Sequence, residues 1–155
     1  MNGRYEVVEA RVTARLVAGV RALVPKGQVG KEFGKYLGQV YALGKTGAVS
    51  LDGQNVFIYH GGANGVLTCD FCVGARAPFA AVGDVRPIET PAGVAAMVTH
   101  WGDYGGLRAA NDWMQEWARA NGTKFAGQSW EVYGHWDPVP AKCRTDIFYL
   151  LDGKE

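Results

Sequence analysis

Glu131 is the residue best suited to chemistry in this sequence, because it is a lone carboxylate set among aromatic rings. In Ser129-Trp-Glu-Val-Tyr133 the two-residue period of a strand sends Glu131 and Tyr133 to one side, Trp130 and Val132 to the other. A carboxylate in such surroundings serves either as the countercharge of a cation or as a proton acceptor. The competing reading is a rim glutamate paired across a hairpin with Arg144 or Lys142, a contact that contributes little. The same alternation separates Phe57 and Tyr59 from Val56 and Ile58, and Asp146 and Phe148 from Ile147 and Tyr149. Assigning the aliphatic sets to the helices leaves Phe57, Tyr59, Asp70, Glu131, Tyr133, Asp146 and Phe148 as an expected ligand wall. Trp101, Tyr104 and Trp136 stand beside glycine-bearing turns and are expected to close a cage over it; each ring facing a cation adds roughly 0.5 to 2 kcal/mol.

Other reactive groups do not assemble. Cys69 and Cys72 form a CxxC, but inside a strand-like run that points them to opposite faces, and no further ligands stand at zinc spacing. Three cysteines are an odd number, which fits a reducing compartment better than a disulfide framework. His60, His100 and His135 are too dispersed for a metal cluster. His100, at a strand end before a glycine turn, is expected to bond backbone, and the other two to be solvated. No phosphate-binding glycine pattern or nucleophile elbow occurs. No metal and no cofactor are called for.

The elements that must position these groups follow from length and pattern. A chain of 155 residues, 48% hydrophobic and 20% charged, supplies the core of a single domain spanning 1–155. A formal charge of +1 gives no field for direct nucleic-acid binding, and no apolar run reaches membrane-spanning length. Charges at Arg4, Glu6 and Glu9 exclude a secretory leader, so the expected location is cytoplasmic. An internal repeat, roughly 5–75 and 85–151, runs strand, helix, hairpin in each half. Val29, Phe33, Tyr36, Leu37 and Val40 form the apolar stripe of the first helix, with Gly44 as its expected stop. Leu107, Ala110, Met114 and Trp117 form that of the second, with Asp103 as expected N-cap and Asn121-Gly122 as its end. Trp113, Met114 and Trp117 are assigned to the core. The fold class is α+β: two β-α-β-β halves related by a pseudo-twofold, forming an antiparallel sheet with helices on one face.

The ordered set His100-Trp-Gly-Asp-Tyr-Gly-Gly-Leu107, Trp113, Trp117, Gly127, Trp130-Glu-Val-Tyr133, Asp137-Pro138 and Thr145-Asp-Ile147 resembles the GyrI-like family. Val17-Ala-Gly-Val20, the Phe33 helix, Ile58-Tyr59 and Pro91-Ala-Gly93 agree in order, so the resemblance covers nearly the whole chain. It implies an effector-binding domain like those of AraC-type and multidrug-responsive regulators, with an aromatic ligand groove between its halves. The family's acidic position falls on Glu131 and its motif aromatic on Tyr133. Residues 1 to 24 read as strands, so no helix-turn-helix is present and a stand-alone module is expected.

Three functions are compatible with this pattern. The first is a module that senses or sequesters lipophilic, aromatic or cationic small molecules. The second, implied by a subfamily, is a hydrolase of cyclopropane-bearing DNA-alkylating natural products, with Glu131 as catalytic base. The third is a protein-binding inhibitor module using the same face.

Overall fold

The structure, a computed structural model, describes residues 5–154. Expectations falling on residues 1–4, the charge of Arg4 and the start of the amino-terminal strand reading, lie outside it. The elements are β1 (Val8–Val12), β2 (Leu16–Pro25), α1 (Val29–Lys45), β3 (Leu51–Tyr59), β4 (Val66–Ala75), β5 (Arg86–Glu89), β6 (Gly93–Trp101), α2 (Leu107–Asn121), β7 (Phe125–Tyr133) and β8 (Arg144–Leu151). The fold is α+β with antiparallel pairing, and the chain divides into two compact units. Ala14–Pro91 makes the central unit, and the chain on either side of it makes the terminal unit.

In the terminal unit the strand order is β1-β6-β8-β7. Alternation and register place residues in cross-strand rows: Val98, Ile147 and Glu131 form one, His100, Thr145 and Tyr133 the next, Ala96, Tyr149 and Ser129 a third. All three rows face α2, whose Ala110 and Met114 pack on Ala96, Val98 and Ile147 with Trp113 and Trp117 alongside. Met114 and Ile147 are fully buried, each contributing about 1.5 to 3 kcal/mol relative to exposure.

The central unit has the order β3-β4-β2-β5 and the same row pattern. Val20, Phe71 and Phe57 form one row, and Ala22, Cys69 and Tyr59 the next. Rings from α1 cover them: Phe33 lies 5.7 Å from Phe57, and Tyr36 stacks on Phe71 at 5.3 Å. Cys69 and Cys72, both buried, occupy opposite faces, as their spacing predicts.

Two helix boundaries differ from expectation. Gly44 does not stop α1, which runs on to Lys45; a Cβ at Gly44 would lie 2.6 Å from Leu51 Cδ1, so glycine lets β3 approach the helix. Asp103 does not cap α2. It precedes a short 3-10 turn, Tyr104–Gly106, and α2 begins only at Leu107, because the Gly105-Gly106 pair favours a tight turn over a helical start.

Candidate functional site

Glu131 lies on β7 between Ser129 and Tyr133 of its own face, and only 5% of its surface is exposed. Each carboxylate oxygen accepts a hydrogen bond from a neutral donor. Tyr133 OH donates to Oε1 at 2.6 Å, and Asn111 Nδ2 on α2 donates to Oε2 at 3.3 Å. Tyr149 OH in turn donates to Asn111 Oδ1 at 2.7 Å. Two oxygens of a carboxylate, an amide and two phenols thus form one chain of hydrogen bonds, the arrangement a buried charge requires. Burial raises the pKa of the Tyr149 phenol, with the Glu131 and Asp112 charges adding to it while hydrogen bonds from Gln115 and Ser129 oppose it. That phenol therefore stays a donor at neutral pH.

The wall beside this carboxylate comes from the 3-10 turn. The Tyr104 ring meets the Tyr133 ring edge-on, at 5.6 Å and 89°. The turn is pinned from below by His100, whose Nε2–H donates to Asp103 O at 2.9 Å while its Nδ1 accepts from Tyr5 OH at 3.0 Å. The turn's backbone lies directly on the imidazole: a Cβ at Gly106 would stand 2.7 Å from His100 Cε1. His100 thus bonds backbone as expected, and its effect is to hold Tyr104 over Tyr133.

The structure brings together Glu131, Tyr133 and Tyr104, and it separates others grouped with them. Phe148 and Asp146 lie on the opposite face of the terminal unit's sheet, where Phe148 stacks on Trp130 at 5.1 Å and 6° and Asp146 accepts from Thr99 and Arg144. The single wall expected from the sequence is thereby corrected. Alternation within each strand is as read, but the faces combine differently across strands, since Glu131 sits opposite Ile147 and Trp130 opposite Phe148. Glu131, Tyr133, Phe57 and Tyr59 all lie on helix-bearing faces of their own units, where the aliphatic sets were expected. Trp101, 58% exposed, is on the side away from α2, with the Arg144 guanidinium 5.7 Å from its ring. Trp136 is 70% exposed. Phe57 is packed within the central unit against Phe33 and Phe71. Arg144 is committed to Asp146 and Trp101, on the face away from Glu131, so it is not the rim partner weighed for that glutamate.

Two residues were missed. Asn111 is a polar residue next to a buried helical stripe, usually a sign of a solvated flank, and Tyr149 was read as part of an apolar face. Their one sequence signal is that Asn111 follows Leu107 by a full turn, on the side of α2 that meets the sheet.

A second polar cluster occupies the central unit, on the face away from α1. Asp70 is fully buried and accepts from Arg21 Nε at 2.8 Å and Nη2 at 3.0 Å, with His60 Nε2 at 2.7 Å. Burial pushes the Asp70 pKa up, but the hydrogen bonds and charges of Arg21 and His60 outweigh it and hold the carboxyl below its ordinary value. His60, expected to be solvated, is a partner of this carboxylate instead, because it directly follows β3 beside Asp70.

Antiparallel α+β units, each with one covering helix, and a buried carboxylate among phenols define a class of small-molecule-binding domains. The chain belongs to the GyrI-like family: residues 6–151 match the GyrI-like small molecule binding domain. Among solved structures, the C-terminal domain of EcmrR is similar with a TM-score of 0.78 and 20% identity, covering 98% of this chain and 99% of that one. EcmrR in its DNA complex gives 0.80 and 18% over 96% of this chain, which spans 58% of the length of that EcmrR chain. SAV2435 bound to tetraphenylphosphonium gives 0.69 and 11%, covering 96% and 94%. A hydrolase from Listeria innocua gives 0.60 and 14%, covering 95% and 92%. At these identities the likeness is one of fold. Among curated proteins, none matches the sequence. Among the described residues, no helix is long and apolar enough to cross a membrane, and no group of three His, Cys, Asp or Glu is placed to hold a metal.

Proposed function

We propose that this domain binds lipophilic cations at the Glu131 site and acts in the cytoplasm as a sensor or sequestering module, without nucleic-acid or membrane contact of its own. The observation that carries this is a buried carboxylate whose oxygens are held by neutral donors, beside the Tyr133 and Tyr104 rings. Tyr133 and Asn111 orient the carboxylate through neutral hydrogen bonds, so a delocalised cation reaching it gains both the ion pairing and the faces of the rings. SAV2435, similar in fold, is bound to tetraphenylphosphonium, a ligand of this type.

The test is calorimetric titration with methyltriphenylphosphonium and with the neutral triphenylphosphine oxide, which has nearly the same shape. The parent is expected to prefer the cation, and Glu131→Gln to lose that preference while keeping its affinity for the oxide. Equal affinities for both compounds in the parent would overturn the proposal.

A second reading has one observation in its favour. Tyr133 OH at 2.6 Å from Glu131 Oε1 pairs a proton donor with an acceptor, as opening an electrophilic ring by water requires. A new product heavier by one water, with a single hydroxyl on the carbon released from the opened ring, on incubation with a cyclopropane-bearing alkylating agent and absent with Glu131→Gln, would establish it.

A further inference from the structure

Asn111 is fixed in one orientation by three hydrogen bonds. Its Nδ2 carries two hydrogens and uses both, one on Leu107 O at 2.9 Å and one on Glu131 Oε2 at 3.3 Å. Its Oδ1 accepts from Tyr149 OH at 2.7 Å. A flipped amide would set Oδ1 against a carbonyl and a carboxylate together, and would leave the Tyr149 hydroxyl facing an NH2 group. Tyr149 is itself set in the sheet row next to Glu131 and close enough to exchange hydrogen bonds with Gln115 and Ser129.

We infer that Asn111, locked by Tyr149, is the positioning residue that makes the Glu131 site discriminate charge: it holds the carboxylate in the geometry a cation needs before the cation arrives. The assignment rests on Glu131 being the countercharge proposed above. A glutamate side chain has three rotatable bonds, and the Tyr133 bond to Oε1 restrains one of the two carboxylate oxygens. With Oε2 held from α2, the group is fixed at two points belonging to two different elements. A preorganised charge favours a cation by its full interaction, whereas a mobile one must first be drawn away from whatever donors it has found. A neutral ligand of the same shape has no ion pairing with that charge and only the weaker contact of its dipole, so its affinity depends far less on how the carboxylate is held.

The experiment measures dissociation constants of methyltriphenylphosphonium and triphenylphosphine oxide on the parent, Asn111→Leu, Tyr149→Phe and Glu131→Gln. Asn111→Leu keeps the branching and the number of side-chain heavy atoms and removes both polar atoms. Tyr149→Phe removes one oxygen, keeps the ring, and carries the test alone if Asn111→Leu does not fold. The cation-to-neutral affinity ratio is expected to fall about tenfold in Asn111→Leu, the scale of a hydrogen bond to a charged group, and several-fold in Tyr149→Phe, with the oxide held within about twofold. Parallel weakening of both ligands would reduce Asn111 to a packing role and overturn the assignment. If Glu131→Gln abolishes the ratio while Asn111→Leu and Tyr149→Phe retain it, the Asn111 assignment falls alone. If Glu131→Gln leaves the ratio at the parent value, the countercharge reading falls, and this assignment with it.

Discussion

At the scale of single residues, the buried carboxylates Glu131 and Asp70 accept from different kinds of donor. Glu131 accepts from the neutral Tyr133 and Asn111, whereas Asp70 accepts from a guanidinium and an imidazole. Asp70 is thus a stability device with a definite pH signature. Its folded pKa lies below the unfolded value of about 3.9, so its contribution is present above that pH and is lost as pH falls through the folded value. Denaturant unfolding between pH 2 and 7 should show this acid limb in the parent and a shallower one in Asp70→Asn. At pH 7 that variant should be less stable by about 1 to 3 kcal/mol, since Arg21 and His60 keep one uncharged acceptor oxygen and face an NH2 group in place of the other; an unchanged acid limb would mean that the cluster contributes nothing. Thr145 gives the reverse case. Its side chain is fully buried and its hydroxyl has no hydrogen-bond partner among the described residues. Thr145→Val should stabilise the protein by about 1 kcal/mol in denaturant unfolding, and a loss of stability would show that the hydroxyl is satisfied after all. That Glu131 and Tyr133 share one face was legible in the sequence because period two along one strand is read directly. The contact of Asn111 with Glu131 was not, because a polar residue at the edge of an apolar helical stripe carries no mark that separates a half-buried hydrogen-bond donor from a solvated flank.

At the scale of elements, the limit on legibility was the register between strands. Each strand's alternation was read as it stands, but which face of β8 joins which face of β7 is set by the register between them, which places Glu131 opposite Ile147 and Trp130 opposite Phe148. Register between strands leaves no period in the sequence, so Phe148 was grouped with Glu131 although it stacks on Trp130 behind it. The turn between β6 and α2 has its own test. Gly106→Ala would press a methyl on the His100 ring and displace the turn bearing Tyr104. Methyltriphenylphosphonium affinity should drop several-fold while circular dichroism stays that of the parent. Unchanged affinity would show that Tyr104 does not help form the ligand wall.

At the scale of the whole molecule, membership of the GyrI-like family was legible because it rests on the order of many loose motifs, and residues 6–151 match the family as that order predicts. The grouping of elements into units was less so. β1, read as part of the first half, pairs with β6 and belongs to the terminal unit, because an edge pairing between distant segments has no local signal. The proposed cation site lies against Glu131, on the face of the terminal unit that α2 covers. Crystals grown with tetraphenylarsonium would show the bound cation directly through the anomalous scattering of arsenic. One principal peak is expected within about 6 Å of the Glu131 carboxylate, beside the Tyr133 and Tyr104 rings. A principal peak against Trp130 and Phe148 on the opposite face, or beside Asp70, would contradict it.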